Sequence, residues 1–284
     1  MNQLKPILNK LIVNARLKTH YMISPLRLMP DFMIIGAQKA GTTSMYKYLV
    51  KHPCIGSCLF GETHFFDLQY SKGLYYYRAM FPTVFSKWYK SLKGQRFITG
   101  ESCPYYLFHP HIPKRVFEAI PAIKIIVLLR NPIDRAYSSY QHQVRKGREK
   151  NTFEQAIDIE MRDFDNETNK LINDPFYCSE KHRHFFYLSR GRYSEQIRRW
   201  MKFFPREQFL FIKSEHFFEK TEEVVNKVFS FLELPDWTLN EYKKFNYHGR
   251  YNQVDKKTIT RLQTYYSSYN KDLSLLLNEK FDWD

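Results

Sequence analysis

One loop constrains this chain more than any other stretch: Gly36-Ala37-Gln38-Lys39-Ala40-Gly41-Thr42-Thr43-Ser44. Before it, Asp31-Phe32-Met33-Ile34-Ile35 is short and mostly apolar, as a buried strand should be. After it, Met45, Tyr46, Leu49 and Val50 recur at helical spacing until Pro53 stops the pattern. Strand, glycine-flanked loop and helix form an anion-binding unit. Glycines let backbone N–H groups face a charge, and the helix N-terminus points at the same place. The pattern G-x-x-x-x-G-K-[ST] is nearly matched, but Thr42 stands at the lysine position and the nearby lysine is Lys39, inside the loop. An ordinary glycine turn is the alternative. Lys39 and the hydroxyls of Thr42, Thr43 and Ser44 speak against it.

The rest of the chain alternates strands with helices. Arg96 to Gly100 and Gln208 to Ile212 read as strands, and Lys124-Ile125-Ile126-Val127-Leu128-Leu129 is the strongest of all, continuous and β-branched. Pro132 sits where a helix begins, and that helix runs to about Lys146. Further helices are expected over His111 to Ile120, Phe153 to Ile172, Arg192 to Phe204, Thr221 to Leu232 and Lys257 to Leu277; residues 54–95 read as irregular and aromatic. Such alternation predicts an α/β fold, a P-loop-like and mostly parallel central sheet flanked by helices on both faces. No Gly-, Ser- or Pro-rich linker divides it. The expected organisation is a basic N-terminal extension over residues 1–30 and a single domain over 31–284.

Bulk properties narrow the function classes. The 284 residues carry a formal net charge of +15, which draws polyanions: nucleic acid, anionic membrane, acidic polysaccharide or a multiply phosphorylated nucleotide. Cys54, Cys58, Cys103 and Cys178 match no zinc-site spacing, so free thiols in a reducing compartment are expected, with a Cys54–Cys58 disulfide left open. No run reaches the ~20 apolar residues of a membrane span. Met1 to Met29 lacks the apolar core and cleavage site of a signal peptide, so it is expected to pack on the domain and the protein to be cytoplasmic.

Arg130-Asn131-Pro132-Ile133-Asp134-Arg135-Ala136-Tyr137-Ser138 follows the strongest strand. Arg130 lies at its C-terminal edge, where open α/β sheets bind ligands. Ser138 is two turns into the helix, and an Arg fork with a hydroxyl suits a terminal phosphate. Together with Ile34-Ile35-Gly36-Ala37-Gln38-Lys39-Ala40-Gly41-Thr42-Thr43, these residues resemble the sulfotransferase family that uses 3′-phosphoadenosine 5′-phosphosulfate, in particular the heparan sulfate N- and 3-O-sulfotransferase branch. The resemblance implies that Lys39, Ala40, Gly41, Thr42, Thr43 and Ser44 bind the 5′-phosphosulfate, that Arg130 and Ser138 bind the 3′-phosphate, and that Tyr193 also lies on the donor side. Asn246-Tyr247-His248-Gly249-Arg250-Tyr251 resembles the family's donor-covering Lys-Gly-Arg loop, with His248 in place of lysine beside Gly249 and Arg250. No metal is expected.

Glu62-Thr63-His64-Phe65-Phe66-Asp67 resembles the Glu-x-x-Phe-Phe segment of the glycan enzymes. That likeness implies Glu62 as general base, with His64 in catalysis and Asp67 positioning the acceptor; a carboxylate within reach can take the proton of an attacking hydroxyl or amine. Gly100-Glu101-Ser102-Cys103-Pro104-Tyr105-Tyr106 matches a further segment, but Ser102 replaces a lysine of the animal 3-O enzymes. Arg78, Lys72, His109 and His111 are candidates to replace that cation, and Tyr105 and Tyr106 to stack on sugar rings. The expected reaction is in-line sulfuryl transfer to a carbohydrate or other hydroxyl or amine acceptor, not to nucleic acid. Two other classes stay open on residues alone. A P-loop kinase or ATPase would bind ATP with Mg²⁺; a non-enzymatic polyanion binder would need no ordered Arg130/Ser138 pair.

Overall fold

The computed structural model describes residues 4–239, 242 and 254–283, with side chains from residue 12 onward. The chain opens with helix α1 (Leu4–Met22), then β1 (Phe32–Gly36), α2 (Thr42–Leu49) and the short β2 (Ile55–Gly56). Helices α3 (Gly73–Arg78) and α4 (Val84–Ser91) lead to β3 (Ile98–Ser102), α5 (Ile112–Ala119) and β4 (Lys124–Leu129). Next come α6 (Pro132–Arg145), α7 (Phe153–Asn173), α8 (Glu180–His184) and α9 (Tyr193–Met201). The last elements are β5 (Phe209–Lys213), α10 (Ser214–Glu219), α11 (Thr221–Phe231) and α12 (Lys256–Leu277).

The five strands lie in the order β2-β3-β1-β4-β5, and every pair is parallel. β1 is buried along its whole length and β4 everywhere but Lys124, which explains their unbroken apolar runs. From β1 the chain moves outward to β2; from β3 it crosses β1 to β4. Right-handed crossovers in opposite directions place their helices on opposite faces. Accordingly α2 packs with α11, while α12 packs with α6 and α9. The reversal opens a crevice outside the C-terminal ends of β1 and β4, the position where such sheets take ligands.

Helix α6 is fixed at that crevice by its own sequence. The Asn131 side chain accepts hydrogen bonds from the N–H groups of Ile133 (2.9 Å) and Asp134 (3.3 Å), and Pro132 fills the first turn. The expected strand at 96–100 runs instead from Ile98 to Ser102, so it includes the buried polar pair Glu101 and Ser102. The stretch expected to be irregular holds β2, α3 and α4. α1 packs onto the domain: Leu17 is buried, and His20 Nδ1 meets the Ala79 carbonyl at 3.1 Å. Among the described residues no helix is long and apolar enough to cross a membrane.

Gly100 marks a close approach of β1 and β3. A Cβ there would lie 2.6 Å from both the ring and the carbonyl oxygen of Phe32. Overpacking of this kind costs about 1–3 kcal/mol. Gly100→Ala is therefore expected to lower the unfolding free energy by that margin in a denaturant titration, and an unchanged midpoint would contradict the packing described.

Candidate active site

The loop between β1 and α2 makes a cradle of backbone donors. Lys39 (φ 71°) and Gly41 (φ 96°) are both left-handed, and the Ala40 N–H between them donates to the Ala37 carbonyl at 3.1 Å, so the loop turns tightly into the N-terminus of α2, where the first N–H groups have no intrahelical partner. The loop is held from outside. Ser214 Oγ donates to the Ala40 carbonyl at 2.8 Å, and Arg130 Nη1 donates to the Lys39 carbonyl at 3.1 Å. Thr42 and Ser44 are buried at the start of α2, while Thr43 is exposed.

Positive charge collects here. Burial, with the cations of Arg145, Arg130 and Lys146, lowers Lys39 to about 8. Burial together with Lys39, Lys146, Arg145 and Arg148 brings His142 down to about 4. Asp134 stands 3.8 Å from Arg130, but no ion pair reaches Lys39 among the described residues. A half-buried ammonium among like charges, beside the N-terminus of α2, makes a site of positive potential. A phosphate or phosphosulfate group fits it.

Arg130 is itself positioned. Tyr193, buried on α9, donates from its hydroxyl to the Arg130 carbonyl at 2.8 Å. The next peptide N–H, of Asn131, donates to Glu215 Oε1 at 2.8 Å. Ser138 is buried in α6, and the adjacent Ser139 donates to Gln38 Oε1 at 3.2 Å. The same oxygen accepts from Arg190 Nη1 at 2.7 Å. Gln38, Ser139 and Arg190 thus tie the loop to α6 and to the turn before α9. Sequence reasoning missed Arg190 and Gln38, since nothing local links residues so far apart in the chain.

Glu62, His64 and Asp67, expected on the acceptor side, gather on the segment after β2. His64 lies between two carboxylates: Nε2 is 3.1 Å from Glu62 Oε2, and Nδ1 is 2.8 Å from Asp67 Oδ2. Burial alone would lower its pKa, but the hydrogen bonds and charges of Asp67 and Glu62 prevail and raise it to about 9. The imidazole is therefore a cation at neutral pH. Asp67 is buried and Glu62 is exposed. Cys103 Sγ approaches His64 Nδ1 at 3.4 Å, and the Cys103 N–H donates to the Ile34 carbonyl at 3.0 Å. That contact sets the histidine at the same sheet edge as the anion cradle. Glu62, His64 and Cys103 offer ligand-type atoms within 4.8 Å of one another, although the imidazole is already engaged by the two carboxylates.

Beneath this segment lies a buried carboxylate. Glu101, fully enclosed, accepts hydrogen bonds from the hydroxyls of Thr63 and Tyr77. Burial raises its pKa to about 7 despite them. Thr63 Oγ1 is also 3.0 Å from the Tyr106 hydroxyl, which accepts from the N–H groups of Phe65 (2.9 Å) and Phe66 (3.2 Å). The residue between Glu62 and His64 is thus anchored to the sheet.

Other expected acceptor residues serve different ends. The Tyr106 ring is fully buried, leaving no face for a sugar; its hydroxyl supports the 62–67 segment instead. Tyr105 is buried too, 2.8 Å from His182 Nδ1, and its ring meets the Arg190 guanidinium. Arg78 donates to the carbonyls of Arg27 (2.9 and 2.7 Å) and Pro25 (3.1 Å), securing the N-terminal segment rather than the cleft. Of the remaining replacements for the missing lysine, Lys72 pairs with Gln69 and Tyr76 on the surface. His109 is lowered to about 3 by burial and then by Arg115, so it carries no charge, and His111 Nε2 meets the Leu171 carbonyl at 2.7 Å. His248, Gly249 and Arg250 lie outside the described residues.

Comparison with known proteins bears on the family and the fold. The sulfotransferase domain family profile matches residues 29–271. The membrane-associated sulfotransferase kil1 of Dictyostelium discoideum is 29% identical, over 91% of this chain and 67% of its own length. The human heparan sulfate glucosamine 3-O-sulfotransferase 3B1 is 27% identical, over 90% of this chain and 65% of its own length. This chain therefore spans about two thirds of these relatives. Among solved structures, a sulfotransferase from Alicyclobacillus acidocaldarius superposes with a TM-score of 0.69 at 26% identity, covering 89% of this chain and 98% of the other. With the anion cradle at the β1 and β4 ends, these likenesses show that the chain belongs to the sulfotransferase family.

Proposed function

We propose that the chain moves a sulfuryl group from 3′-phosphoadenosine 5′-phosphosulfate to a hydroxyl or amine of a carbohydrate. The observation that carries this reading is the juxtaposition of two charge patterns at one sheet edge. On one side, Lys39 has cations around it and no carboxylate paired with it among the described residues; on the other, Glu62 is held by the His64 imidazolium and exposed to an incoming acceptor.

Each residue then has a definite task. Glu62 accepts the proton that the acceptor loses as its oxygen or nitrogen bonds to sulfur. His64, fixed by Asp67, orients Glu62 and balances its charge. Lys39 and the loop N–H groups face the phosphate oxygen that gains negative charge as the bond from sulfur breaks, and donors aimed at developing charge are often a large catalytic term. Arg130 and Ser138 hold the 3′-phosphate, and Tyr193 keeps Arg130 in register. A carbohydrate acceptor is favoured by the similarity to heparan sulfate enzymes.

An acceptor screen with labelled donor tests the reading, setting desulfated polysaccharides against small alcohols and phenols. Glu62→Gln should retain donor binding and lose transfer by about 10²–10⁴-fold. Lys39→Ala should lose about 10²–10³-fold. A Glu62→Gln enzyme with normal turnover would sink the base assignment.

The His64 imidazole supplies a separate check. Its folded pKa, about 9, lies above the ordinary 6.5. The stability it contributes is complete below pH 6.5 and is lost as pH rises through 9. NMR titration should find the raised value in the native chain and a lower one in Asp67→Asn. The native chain's stability margin over Asp67→Asn should shrink across the same window. A His64 titrating at its ordinary value would contradict the bridged geometry.

A further inference from the structure

Helix α7 buries one carboxylate against the turn that leads into α9. Glu160 is 2% exposed. Its Oε2 accepts from the Tyr187 N–H and, at 2.6 Å, from the Leu188 N–H. Its Oε1 accepts from the Ser189 N–H at 2.7 Å and from the Ser189 hydroxyl at 2.6 Å. So many donors on one side chain narrow the choice of residue. An ionised carboxylate only accepts, with room for about four hydrogen bonds, whereas an amide of the same shape turns an NH₂ toward half of the donors.

The carbonyls of the turn are held as well. That of Tyr187 accepts from the Arg135 guanidinium of α6, that of Leu188 from the Tyr266 hydroxyl of α12 at 2.8 Å, and that of Ser189 from Gln196 Nε2 at 3.2 Å. Gly191 lies so close to the start of α6 that a Cβ there would stand 2.8 Å from the Pro132 Cβ. From this turn and the helix it starts, two side chains reach the anion cradle. Arg190 donates to Gln38, the loop residue before Lys39, and Tyr193 donates to the carbonyl of Arg130. Among the described residues, the hydrogen bonds of Glu160 all go to Tyr187, Leu188 and Ser189. Its influence on the site therefore runs through Arg190 and Tyr193.

We propose that Glu160 is a positioning residue for the donor site. It holds the turn in register, and the turn sets where Arg190 clamps the loop beside Lys39 and where Tyr193 clamps Arg130. One buried carboxylate thereby fixes the spacing between the cation for the 5′-phosphosulfate and the cation for the 3′-phosphate. This role rests on the reading of the cradle as a site for 3′-phosphoadenosine 5′-phosphosulfate. A small displacement of binding groups from their ligand can cost a large factor. Here the cost falls on a ligand that must meet both cations at once. It does not fall on Glu62, whose segment is anchored separately through Thr63 and Glu101.

Calorimetry on the full chain tests the proposal, comparing 3′-phosphoadenosine 5′-phosphate with adenosine 5′-phosphate, which lacks the 3′-phosphate. In Glu160→Gln the preference for the bisphosphate should fall at least about tenfold, and binding of the monophosphate should change by no more than about threefold. A gentler variant, Ser189→Ala, removes one of the donors and should lower the preference about threefold; it decides the matter if Glu160→Gln does not fold. Glu167→Gln is the control for a general loss of stability. Glu167 is a buried carboxylate of the same helix, but its donors are the Tyr177 and Ser179 hydroxyls, at 2.5 and 2.8 Å. That variant should keep the native preference. A native preference in Glu160→Gln or in Ser189→Ala would overturn the proposal. Equal weakening of both nucleotides, or the same fall in Glu167→Gln, would do so too. A native chain that binds neither nucleotide would instead overturn the donor reading, and this role with it.

Discussion

The structure depends on an unbalanced charge at the ends of two neighbouring strands. Lys39 is half buried, surrounded by other cations, and meets no carboxylate among the described residues. Burying a cation without a partner is costly. The arrangement persists because the loop is determined from several sides: Ser214 on the Ala40 carbonyl, Arg130 on the Lys39 carbonyl, Arg190 and Ser139 on Gln38. Those contacts fix a site of positive potential in advance of its ligand. Preorganised donors of this kind need little rearrangement when negative charge arrives.

A second buried ionisable group supports the segment that carries Glu62 and His64. Glu101 sits within β3 and holds Thr63, the residue between Glu62 and His64. Through Tyr106 the same network fixes the peptide groups of Phe65 and Phe66. The exposed Glu62 therefore rests on a rigid base although its own segment is irregular. Cation and carboxylate systems meet where Cys103 follows β3 beside Ile34. The parallel sheet is what brings residues from distant parts of the chain to one edge.

The features legible in the sequence were those with a local physical signature. β1 and β4 are buried on both faces, so their residues form continuous apolar runs. α6 begins with its own cap and proline, and the cradle shows as two glycines with a lysine between them. β3 was displaced by two residues because Glu101 and Ser102 are polar, and only the tertiary partners Thr63 and Tyr77 make a carboxylate acceptable inside a strand. α4 was missed because the surrounding aromatic residues blurred its period. Arg78 was misplaced, since its partners are carbonyls near the N-terminus rather than anything beside it in the chain. Arg190 left no local sign, as its contact with Gln38 bridges distant segments.

Whether the cradle accepts a bisphosphate nucleotide without help from a metal is the central question. Calorimetry with 3′-phosphoadenosine 5′-phosphate and with ATP, each with and without Mg²⁺, addresses it directly. The charge arrangement around Lys39 predicts tight binding of the bisphosphate that is independent of metal and weakened by Lys39→Ala. Binding of ATP alone, and only with Mg²⁺, would contradict it, as would the absence of any nucleotide binding.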